Sequence, residues 1–136
     1  MLRTFNKSRG GFTLVEIMIV VGIIALLAAI AVPNFLRARK RSQATRMLED
    51  LRIIDSAIDQ YAIENNKTTG NSCGWGDVMN YLKTGSVLYN SGGMDLFGNA
   101  YGVNSNFSVD TIPRLSSLTY SKLSDVAPES FWSPYY

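Results

Sequence analysis

The sequence predicts an α+β chain: one long N-terminal helix packed on a small antiparallel sheet. Three observations predict it. From Phe12 to Leu36 the chain is apolar, with Glu16 as its only charge. From Ala44 onward, apolar residues recur at helical steps among dense charge. Beyond Lys67 the composition turns to Gly, Ser, Asn and Tyr in short runs broken by turn signals. Four segments follow: a basic start at 1–11, an apolar helix at 12–36, its amphipathic continuation at 37–66, and a small globular domain at 67–136.

The apolar helix comes first. At about 1.5 Å per residue, 12–36 would reach roughly 37 Å, more than the ~30 Å core of a bilayer. A membrane span fits this length, and a soluble core helix does not. A secretory signal peptide is the rival: Arg3, Lys7 and Arg9 supply its basic start, and Ala29-Ile30-Ala31 a cleavage site. The run is too long for that reading, and Glu16 interrupts its start. Pro33 removes one backbone donor and predicts a bend or local unwinding, which lipid-embedded helices tolerate. Arg37, Arg39, Lys40 and Arg41 follow directly, so a bare count of flanking charges would put the C-terminus in the cytoplasm.

In the continuation, Met47, Leu48, Leu51, Ile54, Ile58, Tyr61 and Ala62 form one helical face. That face is expected to contact the globular domain. Ile53 and Ile63 fall off it, where they could pack against another chain. Asp55 lies within the stripe and needs a partner or an edge position. Arg46 and Asp50 stand at pairing distance. The run NNKTTGN ends the helix near Asn65, with a loop at 66–74. A second helix is read at Asp77–Gly85, Asp77 capping it. Short strands are read at 86–89, 100–103 and 107–110, with turns at Gly92-Gly93 and Gly98-Asn99.

Composition bounds the chemistry. There is no His among 136 residues, which excludes Ser-His-Asp and Cys-His catalysis and His-based metal sites. No paired-carboxylate or phosphate-loop motif appears, so no enzyme is expected. The single Cys73 cannot close an intramolecular disulfide; it could cross-link chains or react, and reads first as a packed or partly exposed free thiol. Net charge is +2; loss of residues 1–11 would remove three of the thirteen basic groups and leave ten against eleven acidic ones. Such a balance gives no reason to expect a nucleic-acid partner.

The stretch GGFTLVEIMIVVGIIALLAAIAVPNF closely resembles the start of type IV prepilins and type II secretion pseudopilins. The resemblance implies a pilin-like fold and a leader ending at Gly11, cut by a prepilin peptidase. It implies N-methylation of Phe12, and gives Glu16 and Pro33 roles in assembly. Glu16 would face the N-terminal amine of a neighbouring subunit, since a buried charge is tolerated mainly when paired. The implied protein spans the bacterial inner membrane once. Its N-terminus is cytoplasmic, and its C-terminal domain is periplasmic or in an extracellular filament. The implied partners are further copies, other pilins or pseudopilins, the peptidase and an inner-membrane assembly platform.

MDLFGNAY, Met94 to Tyr101, is similar to the DPWGNPY-type segment of major pseudopilins, with Leu96-Phe97 for Pro-Trp and Ala100 for the second Pro. A hairpin turn alone could explain it. Calcium, which such proteins often bind, has Asp110 and Asp125 as candidate carriers, with no ligand spacing to identify a site; no other cofactor is expected. The aromatic tail SDVAPESFWSPYY is expected to pack. A competing reading is a single-span anchored protein with an extracytoplasmic binding domain and no filament role.

Overall fold

The computed structural model describes residues 10–136. The basic side chains Arg3, Lys7 and Arg9 of the expected leader lie outside the described residues. One long helix, α1 (Leu14–Glu64), opens the fold. It is followed by β1 (Ser72–Gly74), α2 (Trp75–Val78), a 3-10 turn (Met79–Tyr81), α3 (Val87–Asn90), β2 (Asn106–Ser108), α4 (Ser117–Leu123) and α5 (Glu129–Trp132). The chain divides into two compact units, one ending at Leu36 and the other running Arg37–Tyr136.

In the first unit, the helix and the residues before it bury nothing: every residue from Gly10 to Leu36 is exposed. The helix is unbroken across Pro33, so the local unwinding expected there does not occur. Pro33 still lacks an N–H, which leaves the carbonyl one turn earlier without its usual donor.

The second unit has its own core. Ala44, Met47, Leu48, Leu51, Ile54, Ala57 and Ile58 of α1 are buried, which is the predicted stripe with Ala57 added. Tyr61 and Ala62 are half-buried at its end. Ile53 and Ile63 are exposed, off the stripe as read. The core is completed by Cys73, Val78, Leu82, Leu88, Tyr101, Phe107, Leu115, Leu123, Trp132 and Tyr135. The expected packing of the tail is therefore met: the Trp132 indole is fully buried and donates to the Ala127 carbonyl at 3.0 Å.

The sheet is antiparallel and smaller than read, with two strands in the register Ser72↔Ser108, Cys73↔Phe107 and Gly74↔Asn106. Several local readings need correction. The loop expected at 66–74 gives way to β1 from Ser72. The second helix begins at Trp75 rather than Asp77 and has ended as a 3-10 turn by Tyr81. Asp77 does not cap it from the front: it sits inside the first turn, and its carboxylate accepts from the Gly74 N–H at 2.9 Å.

Residues 86–89 are not a strand. Ser86 accepts from the Tyr89 N–H at 3.2 Å, an N-cap bond that starts α3 and turns Leu88 inward. Residues 100–103 contribute isolated bridges, Met94↔Ala100 and Val103↔Asn106. Gly102 explains the break. It has φ +68°, and a Cβ there would lie 2.7 Å from the Asn106 carbonyl oxygen. Asn104 and Ser105 follow, also at positive φ. Arg46 makes no ion pair with Asp50; the pair on this helix is Arg52–Glu49 at 2.7 Å.

Candidate functional site

Of the residues singled out by sequence, Gly11 and Phe12 precede α1, Glu16 lies in its first turn and Pro33 lies within it. Gly10 to Thr13 form an irregular segment, exposed throughout, and nothing stands within 4 Å of a Cβ built on Gly10 or Gly11. Phe12 is 85% exposed. The bond after Gly11 is thus unobstructed by the described residues.

Glu16 is not idle within its own chain. Its Oε2 accepts from the Thr13 N–H at 2.8 Å and from the Thr13 hydroxyl at 2.9 Å. In return, the Glu16 N–H donates to Thr13 Oγ1 at 3.2 Å. This is a reciprocal capping box, which satisfies donors a helix start would otherwise leave open. Thr13 was missed in the sequence reading, although its signal was there: Thr13-x-x-Glu16 before an apolar run is the capping pattern. Glu16 Oε1 makes no hydrogen bond among the described residues. Pro33 stands in the same helix, and neither Glu16 nor Pro33 touches a core.

The second unit holds the remaining polar features. Asp95 is buried, and its Oδ1 accepts from the N–H groups of Phe97 (2.8 Å) and Asn99 (2.9 Å). Its other oxygen accepts from the Thr119 hydroxyl. The Asn99 amide also donates to Thr119 at 2.9 Å. MDLFGNAY is therefore a turn wrapped on its own carboxylate and clamped to α4. Burial pushes the Asp50 carboxyl up, against the opposing pull of the Tyr101 hydroxyl at 3.2 Å and the Arg46 charge. Asp55 finds the partner it needed: the Tyr135 hydroxyl donates to it at 3.4 Å. Burial, reinforced by the Asp59 charge, raises Asp55 as well.

The calcium candidates do not come together. Asp125 accepts from the Lys40 ammonium at 2.9 Å, which holds its carboxyl low. Asp110 accepts from the Thr69 hydroxyl. Among the described residues no three His, Cys, Asp or Glu side chains form a group able to hold a metal. Cys73 is buried, unpaired, and raised by burial and then by the Asp77 charge.

Comparison with known proteins bears on the start of the chain. Residues 6–32 match the prokaryotic N-terminal methylation motif. The chain is similar to the type IV wide pilus major component PilA4 of Thermus thermophilus, with 46% identity over 48% of this chain and 50% of that protein. It is similar to the type II secretion system core protein G of Klebsiella michiganensis, with 34% identity over 46% of this chain and 44% of that one. The type IV major pilin protein PilA of Myxococcus xanthus is 41% identical over 46% of this chain and 29% of its own length. The matches thus span half or less of these curated relatives. No solved structure gave a significant match.

Proposed function

We propose that this chain, which carries the prepilin methylation motif, is a structural subunit cut after Gly11 and N-methylated at Phe12. It assembles through Phe12–Leu36 into a type II secretion pseudopilus or a type IV pilus. The observation that carries the reading is the motif at 6–32, overlapping an apolar stretch of α1 in which no residue up to Leu36 is buried. Such a surface must be covered, first by lipid and then by copies of itself. The prepilin peptidase, an inner-membrane platform and other pilins or pseudopilins are the partners this entails. The N-terminus is cytoplasmic and the domain from Arg37 lies outside, against the bare count of flanking charges. No catalytic role is assigned.

Within the filament, Glu16 meets the methylated amine of a neighbouring Phe12. Its free Oε1 is available for that contact, while Oε2 continues to cap α1. In lipid a charge costs on the order of 2.5–3.5 kcal/mol at mid-depth and less near an interface, where Glu16 lies. Pro33 adapts the helix to packing in the filament core.

Mass spectrometry of the mature protein tests the processing step, with N-methylated Phe12 as the expected terminus. An intact leader, as a simple membrane anchor predicts, or a terminus at Val32, as signal cleavage predicts, would sink the reading. Glu16→Ala should insert normally and lose most filament incorporation; undiminished filaments would refute the pairing.

A further inference from the structure

Arg37, Arg39 and Arg41 follow the apolar segment directly on α1. With about 3.6 residues per turn, Arg37 and Arg41 share one side and Arg39 lies nearly opposite, so the three surround the helix. All three are exposed, and among the described residues none makes a hydrogen bond to a side chain or an ion pair. Lys40 differs, because Asp125 holds its ammonium at 2.9 Å. The chain's own carboxylates offer the arginines little: Asp125 feels the Arg37 charge, but its direct partner is Lys40. Glu49 pairs with Arg52, Glu64 accepts from Tyr81, and Asp95 is buried. Among the described residues Asp59 and Glu129 are exposed and make no ion pair, Asp110 accepts only from the Thr69 hydroxyl, and Glu16, with one oxygen free, stands near the opposite end of the apolar segment. Among the described residues no three acidic side chains gather into a cluster, so a second copy presents no matching acidic ring.

A bilayer does. The helical stretch from Leu14 to Leu36, about 34 Å long at ~1.5 Å per residue, exceeds a ~30 Å hydrocarbon core. With Glu16 near one interface, Arg37 to Arg41 fall among the headgroups at the other. Guanidinium groups match phosphate in charge and in geometry, through two parallel hydrogen bonds. We infer that Arg37, Arg39 and Arg41 form a collar that binds the phosphates of anionic lipids at the end of the span opposite Phe12. The inference rests on the membrane reading of 12–36 and not on filament assembly. Each bound phosphate fixes the depth of the subunit while it remains in the bilayer.

The test uses the full chain in phosphatidylcholine vesicles containing spin-labelled phosphatidylglycerol or spin-labelled phosphatidylcholine. Electron paramagnetic resonance then gives the preference for the anionic lipid. A preference of roughly fivefold or more is expected at low salt, the effect of one or more basic side chains near an anionic surface. It should fall as salt rises. R37Q/R39Q/R41Q should lose most of it, R39Q alone a part, and K40Q almost none. R3Q/K7Q/R9Q serves as the control for the other interface and should retain the collar's share. A preference that survives R37Q/R39Q/R41Q and vanishes in R3Q/K7Q/R9Q would overturn the inference, as would no preference in the parent chain. Unchanged preference with fewer filaments would assign the guanidiniums to a neighbouring copy and overturn it too. An uncleaved Gly11–Phe12 bond, by contrast, would refute the assembly reading and leave the collar untouched.

Discussion

Asp50 shows how one half-buried carboxylate can set a pH response. Burial raises its pKa more than Tyr101 and Arg46 lower it. The folded chain therefore holds this proton at pH values where the unfolded chain has released it. Stability from such a group is complete below the ordinary carboxylate value and is lost as pH rises through the raised one. Asp55 acts in the same direction. Asp125 opposes them, but at lower pH: its carboxyl is held low by Lys40, so its contribution is lost only as pH falls through that depressed value. Between neutral pH and about pH 4 the melting temperature should therefore rise on acidification. Asp50→Asn keeps an acceptor for the Tyr101 hydroxyl and removes the charge. Its melting temperature at neutral pH should equal or exceed the parent's, by no more than about 3 °C because the site is partly solvated. The acid-side rise should shrink. Melts followed by circular dichroism in detergent decide it; a lower melting temperature at neutral pH would show that the charged form is needed.

At the scale of elements, α1 separates two kinds of apolar residue. Leu51 is fully buried and Ile53 is 48% exposed. Leu51→Ala should cost about 2–5 kcal/mol of unfolding free energy. Ile53→Ala should cost about 1 kcal/mol or less and, on the proposed filament role, instead reduce filament yield, since its side chain is exposed. Denaturant unfolding and electron microscopy of filaments give the two readouts; the same ranking in both would remove the distinction. This split was legible in the sequence, because the stripe at 44–58 and the NNKTTGN stop are long, regular signals. The shorter elements were not. Ser86-Val87-Leu88-Tyr89 has strand-like composition, yet one Ser86 cap bond and inward Leu88 make it helical. Asp77 was read as a leading cap and is in fact an acceptor inside the first turn. In segments of three or four residues, single hydrogen bonds outweigh propensity, and periodicity has no room to appear. At the candidate site, Gly11, Phe12 and Glu16 were singled out through the resemblance to prepilins, and their roles stay proposals; the structure adds Thr13, whose N–H and hydroxyl both reach the Glu16 carboxylate.

For the molecule as a whole, the stability of the second unit rests on one cooperative core, and Cys73 reports on it. The thiol is 2% exposed and belongs to the cluster shared by α1, β2 and the C-terminal tail. Burial also raises its pKa, so little thiolate forms at neutral pH. Two effects therefore protect it: the reagent cannot reach it, and it is mostly protonated. Modification by a maleimide should be slow in the native chain and fast in denaturant. If opening of the whole core limits the reaction, a distant core substitution must accelerate it. Trp132→Ala removes a fully buried indole in α5 at a cost of about 3–5 kcal/mol. At 1.4 kcal/mol per decade, labelling should speed up by about a hundredfold or more. Pulse labelling followed by mass spectrometry measures the rate. An unchanged rate would mean that β1 opens locally, without α5. Rapid labelling of the parent chain would mean that the core leaves Cys73 open even when folded.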